Sequence, residues 1–233
     1  MKRFLISAVL LSMLGIFASC SDTTEQRIHK MIQKDVKTHL INKGSFKETN
    51  FELSELYSLD GSLDVFCASF ELEELVKDAR RLKDEISRSK SYRSIYSGRY
   101  TDHERVRYDE ESEKIEKSER KLENKKKKIS SIVGELYRIM SSPDNLRLAG
   151  FIAEEDYVAS TTTGDEMPAC SLLIVDSTGS KIVYKHDLDI IEIARVVSGE
   201  KLFIVQTIEY IKDLISDGEM IDVDDFIDDM ESF

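Results

Sequence analysis

Residues 65–86 read VFCASFELEELVKDARRLKDEI, and their apolar spacing decides the architecture. Val65, Ala68, Leu72, Leu75, Ala79, Leu82 and Ile86 alternate steps of three and four, the seam of a coiled-coil helix. The seam fades through a polar stretch and a second one follows. In residues 115–139, IEKSERKLENKKKKISSIVGELYRI, the side chains Ile115, Leu122, Ile129 and Leu136 stand seven apart. Ile132 and Ile139 take the complementary positions, where Ser118 and Lys125 stand earlier in the run. Gly98 lies between the two seams. This pattern predicts an antiparallel helical hairpin over residues 63–141 with its tip near residues 94–104. Arms of about 30–38 residues, at about 1.5 Å per residue, would reach roughly 50 Å.

Working outward, residues 25–42 place Ile28, Met31, Ile32, Val36, Leu40 and Ile41 on one helical stripe, with Thr23 or Thr24 as a start signal and Gly44 as a stop. Residues 46–59 alternate in part, which predicts a strand ending at the turn Asp60-Gly61-Ser62. Beyond the hairpin, Ser141-Ser142-Pro143-Asp144 stops the helix. Residues 146–159 predict a strand and residues 161–168 a loop. Residues 169–176, ACSLLIVD, are nearly all apolar and predict a central strand, with residues 181–185 returning after the turn 176–180. Ile190, Ile191, Ala194 and Val197 suit one helix, and Leu202, Val205, Ile208, Ile211, Leu214 and Ile215 another. The fold class is α+β: a small antiparallel sheet with packed helices, its body in residues 25–62 and 142–216, interrupted by the hairpin. Residues 217–233 read as an acidic C-terminal tail, since the last 21 positions hold nine acidic and no basic side chains.

Charge narrows the partners. The chain carries −12, and 33% of its residues are charged. Such a balance argues against binding nucleic acid or an anionic surface. The exception is the hairpin tip, where Lys90, Tyr92, Arg93, Tyr96, Arg99, Tyr100, His103, Arg105, Arg107 and Tyr108 make a basic, aromatic patch. Tyrosine and arginine favour interfaces, so Tyr92, Arg93, Tyr96, Arg99, Tyr100 and Arg105 are the candidate partner contacts. A solvated tip whose tyrosines cover the seam ends is the bland alternative. Besides Cys20 the chain has Cys67 and Cys170, which either pair as a disulfide or stand as two separate buried thiols.

The N-terminus MKRFLISAVLLSMLGIFASC has a basic start at Lys2 and Arg3, an uncharged apolar stretch over residues 4–17, and small residues at Ala18 and Ser19. This is the layout of a secretory signal, too short to span a bilayer comfortably. Phe17-Ala18-Ser19-Cys20 resembles the lipobox of bacterial lipoproteins. The resemblance implies removal of residues 1–19, lipid on Cys20, a short tether over residues 20–24, and attachment to the membrane through that lipid. Ser21 after the cysteine implies, by the sorting rule of enteric bacteria, the outer membrane. The leader takes two positive charges with it, leaving −14, so lipid and not surface charge would hold the chain. The body, over residues 25–185, also resembles small α+β bacterial lipoproteins with a helical insertion, through Ser45-Phe46, Phe51-Glu52-Leu53, Leu56-Tyr57-Ser58 and Leu172-Leu173-Ile174-Val175-Asp176. That family brings no activity with it.

No catalytic or cofactor signature appears: GxSxG, HExxH, GxGxxG and the P-loop pattern are all absent. An EF-hand set on Gly218 fails because Ile215 would stand at an oxygen-ligand position. His186, beside Asp187 and Asp189, is the best acid–base candidate by residue type, and a surface turn explains it equally well. The expectation is therefore a non-enzymatic envelope lipoprotein, without cofactor, that meets a protein or envelope partner through the hairpin. Two other readings stay open: a small-ligand carrier or enzyme with its site in the body, and an oligomer formed by the seams.

Overall fold

The computed structural model describes residues 22–98, 101–198 and 201–230. Its elements are α1 (Asp22–His39), β1 (Lys47–Ser58), α2 (Asp64–Ser69), α3 (Leu72–Tyr96), α4 (Asp102–Ser141), β2 (Arg147–Ser160), β3 (Glu166–Asp176), β4 (Ile182–Asp187), α5 (Ile190–Ser198), α6 (Phe203–Asp217) and α7 (Val223–Asp229). The fold is α+β, and the chain divides into two compact units. One lies within Met1–Phe70 and Arg138–Glu209, the other within Glu71–Tyr137 and Tyr210–Phe233.

The first unit is an antiparallel sheet of order β1-β2-β3-β4, and the hairpin sequence is inserted between its first two strands. The apolar alternation of β2 and β3 buries Phe151, Ala153, Tyr157, Leu173 and Val175 against Ile28, Ile32 and Val36 of α1. The other sheet face receives α2, whose C-terminal neighbour Phe70 stacks on Tyr184 with ring centroids 5.1 Å apart. Gly150 has no room for a side chain: a Cβ there would lie 2.2 Å from the Val175 carbonyl oxygen and 3.0 Å from a Leu63 methyl. The β3–β4 turn is set by Asp176, whose carboxylate accepts from the Ser180 and Lys181 amides and from the Thr178 hydroxyl.

Several boundaries differ from the sequence reading. Helix α1 starts at Asp22, so residues 22–24 of the expected tether are helical, and Thr23 and Thr24 stand inside the helix rather than before it. The seam over residues 65–86 is two helices, because the chain turns at Phe70 and Glu71 while the three-four spacing continues across the break. Strand β3 begins at Glu166 inside the expected loop. Pro168 is tolerated there because β4 pairs only with Ser171 to Val175, which leaves that end of β3 an edge.

The second unit is the helical hairpin. Residues on α3 and α4 approach in opposite order along the two helices: Lys125 to Asp78 at 2.7 Å, the Ser118 hydroxyl to Glu85 at 3.1 Å, and Lys90 to Glu119 at 2.8 Å. Leu72, Leu75, Val76, Ala79 and Ile86 are buried, as are Ile115, Ile129, Ile132, Val133 and Leu136. Ser118 and Lys125, the polar residues in the second seam, are thus the ones that bond across it. The expected acidic tail is corrected: α7 is an ordered helix with Phe226, Ile227 and Met230 buried. Asp222 caps it by accepting from the Asp224 and Asp225 amides. Its acidic charge is met by the hairpin, where Lys83 reaches Asp228 at 2.7 Å, Lys126 reaches Asp224 at 2.6 Å, and Arg80 donates twice to the Ile227 carbonyl.

Candidate functional site

Strand β2 carries three consecutive acids, Glu154, Glu155 and Asp156, and all three are buried. Successive side chains of a strand point to opposite faces. Glu155 therefore shares its face with Ala153 and Tyr157 and looks toward α1, whereas Glu154 and Asp156 look the other way. Strand β1 adds more polar groups in register: Phe51 stands opposite Glu155, Glu52 opposite Glu154, Asn50 opposite Asp156, and Glu48 opposite Tyr157.

Under α1, His29 and Gln33 stand one helical turn apart and reach the same carboxylate. The His29 Nε2 atom lies 2.8 Å from Glu48 Oε2 and 4.0 Å from Glu155 Oε2, and the Gln33 amide bonds Glu48. The Phe51 ring stacks on the imidazole at 4.1 Å and fixes its plane. Glu155 is 0% exposed, and neither of its oxygens accepts a hydrogen bond among the described residues. The nearby Ser171 hydroxyl is turned to Asp187. Burial, and then repulsion from Glu48 and Asp156, push the Glu155 carboxyl up to about 8, with Lys37 opposing. His29 and Glu48 are about a third exposed at their side chains, so the group opens to solvent through them and is floored by Glu155.

On the other sheet face Glu154, Asp156 and Cys170 converge, all buried. Burial raises the Asp156 carboxyl, bonds with Cys170 and Asn50 lower it, and Glu52 raises it again, for a net upward shift. The Cys170 thiol is held in its protonated form by burial and by the negative charges of Asp156 and Glu154. It is not a reactive thiolate. These two groups are the sets of three or more close ligand-type side chains among the described residues.

The residues singled out in the sequence fall elsewhere. Cys20 and the leader over residues 1–19 lie outside the described residues, as do Arg99 and Tyr100. The suggested Cys67–Cys170 disulfide is absent, and both are free thiols. Cys170 bonds Asp156 within the sheet, and Cys67 sits on α2. At the hairpin tip, Tyr92 is 56% exposed, and Ile95 and Val106, not picked out beforehand, are 51% and 55% exposed. Arg93 lies over the Tyr108 ring at 5.8 Å, and Tyr96 is half-buried. Arg105 is exposed. Residues 88–108 hold six basic and two acidic side chains. His186 bonds Glu192 at 3.1 Å and packs on Phe70, contacts made at the start of α5.

The signal for the buried acids was present in the chain as EED in the middle of GFIAEEDYVAS, a charged triplet inside an otherwise apolar strand. No protein-family model, curated protein or solved structure matches this chain.

Proposed function

We propose that the chain is a lipid-anchored protein of the bacterial envelope that works without catalysis by binding an acidic protein partner through the tip of its helical hairpin. The observation that carries the reading is the tip itself. Tyr92, Ile95, Val106 and Tyr108 expose apolar surface there, interleaved with Arg93, Arg105 and Arg107, in a protein of strongly negative charge. Exposed aromatic and aliphatic groups cost solvation unless something covers them, and arginine adds charge-assisted bonds to a carboxylate. The anchor rests on Cys20 and the small residues before it. No described helix is long and apolar enough to cross a membrane, and by resemblance Ser21 favours the outer membrane.

Two measurements test the two halves of this reading. Cys20→Ser should abolish lipid labelling and release the chain from membranes or leave an unprocessed precursor. A mature, membrane-bound Cys20→Ser protein would end the anchor reading. For the tip, Tyr92→Ser, Ile95→Ser and Val106→Ser combined with Arg93→Glu and Arg105→Glu should leave helicity and the unfolding midpoint in place. The same variant should remove a partner captured by crosslinking in the native envelope. Capture of every partner at the wild-type level would exclude the tip as the contact, and loss of self-association in sedimentation would make the occupant a second copy.

A further inference from the structure

The geometry points to a binding site for one first-row divalent transition cation, Zn2+ foremost, held by His29, Glu48 and Glu155 between α1 and the sheet. This inference is independent of the anchor and of the hairpin tip.

Three features carry it. The first is convergence. The three ligand atoms lie within 4.8 Å of one another although they come from α1, β1 and β2. Zinc ligands at about 2.0–2.2 Å in a tetrahedron stand roughly 3.3 Å apart. The His29 Nε2 distances to Glu48 and Glu155, 2.8 and 4.0 Å, bracket that spacing. Small rotations of the two glutamate side chains would equalise them.

The second is the state of Glu155. A fully buried carboxyl without a hydrogen bond is a costly group to keep, since such atoms are almost always partnered. Its Oε2 points into the space that His29 and Glu48 enclose. A cation there supplies the missing partner, and two carboxylates with one neutral imidazole leave a divalent ion electrically balanced.

The third is the donor set and its support. An imidazole nitrogen with two carboxylates suits zinc, iron or cobalt, and is a poor set for calcium or magnesium, which take oxygen. Phe51 fixes the imidazole plane. Gln33, 3.2 Å from His29 Nε2, offers an amide whose carbonyl oxygen, on a half-turn of the amide, becomes a fourth donor. Otherwise water fills that position. The partly exposed edges of His29 and Glu48 give the ion its route from solvent.

The test uses the full-length chain without an affinity tag, purified in detergent and freed of metal with a chelator. Zn2+ is titrated by calorimetry and against a chromophoric chelator, and Co2+ is titrated by visible absorption. The expected result is one ion per chain with micromolar or tighter affinity. His29→Gln, Glu48→Gln and Glu155→Gln should each weaken it at least tenfold, and Cys170→Ser should leave it unchanged. The Co2+ spectrum should lack a thiolate charge-transfer band and should change in Glu155→Gln. Circular dichroism and the unfolding midpoint establish that each variant is folded. The near-isosteric Glu155→Gln keeps the test alive should His29→Gln unfold. Absence of stoichiometric Zn2+ binding, or affinity undiminished in folded Glu155→Gln, overturns the site. Loss confined to Cys170→Ser also overturns it, in favour of the cluster on the other sheet face.

Discussion

The sheet unit and the hairpin unit treat charge in opposite ways. In the hairpin, acids and bases meet at the surface over an apolar interior: Lys83 with Asp224 and Asp228, Lys126 with Asp224, Lys125 with Asp78. Screened pairs of this kind are worth little each. In the sheet, three acids in a row are taken out of water on the second strand. No lysine or arginine forms an ion pair with Glu155 among the described residues; a partly exposed histidine is its neighbour. Stability in the hairpin therefore rests on its interior, whereas the sheet retains buried charge-bearing groups that stability alone would not select. Folds tolerate such groups where they act.

The largest expected effect lies in the hairpin interior. Phe226 of α7 is fully buried with its ring edge-on to Tyr210 at 5.4 Å. Phe226→Ala should destabilise that unit by about 3–5 kcal/mol in urea unfolding followed by circular dichroism. A loss below about 1 kcal/mol would return the C-terminal segment to the status of a tail.

Next comes an effect of opposite sign. Glu155→Gln in metal-free protein should stabilise the fold at pH 7 by about 1–3 kcal/mol, because it removes a group that must be held neutral by burial. The sign follows from the raised carboxyl. Held up to about 8 when folded, against about 4.3 when unfolded, it favours the folded chain fully at acid pH and ceases to as the pH rises toward its folded value. The advantage of glutamine should therefore vanish below about pH 4 and grow with pH. Chemical unfolding at three pH values checks it, and a flat difference across that range would show Glu155 to be solvated.

The smallest effect tests the hairpin's surface pairs. Lys83→Ala should cost under about 1 kcal/mol and less in high salt. A larger, salt-independent loss would mean that these pairs behave as buried ones and would erase the contrast.

Periodicity made most of the architecture legible. The run ACSLLIVD marked β3, the seven-residue spacing of Ile115 to Leu136 marked α4, and the turns at Gly61 and Gly179 marked strand ends. What misled was spacing that a break does not disturb: Val65 and Ala68 keep the rhythm of α3 yet belong to α2. Composition misled at the C-terminus, where nine acids outweighed the helical spacing of Phe226, Ile227 and Met230. The basic residues that neutralise those acids lie on other helices, and a linear reading does not pair them. The His29, Glu48 and Glu155 group was invisible for the same reason. Each looked like an ordinary polar residue of its own element, and only the β1–β2 register and the packing of α1 bring them together.

The insertion point of the hairpin bears on how the chain folds. Ser58 and Arg147 are cross-strand neighbours, yet the contact between them closes a stretch of about 90 residues, at a loop entropy cost of about 4 kcal/mol if that stretch is random. Helices α3 and α4 form from local contacts within microseconds. Every residue they take up is withdrawn from the flexible loop before the strands meet. The rate of β1–β2 pairing should then follow helix propensity in the inserted arms, so that a slow, long-range step is governed by fast, short-range chemistry.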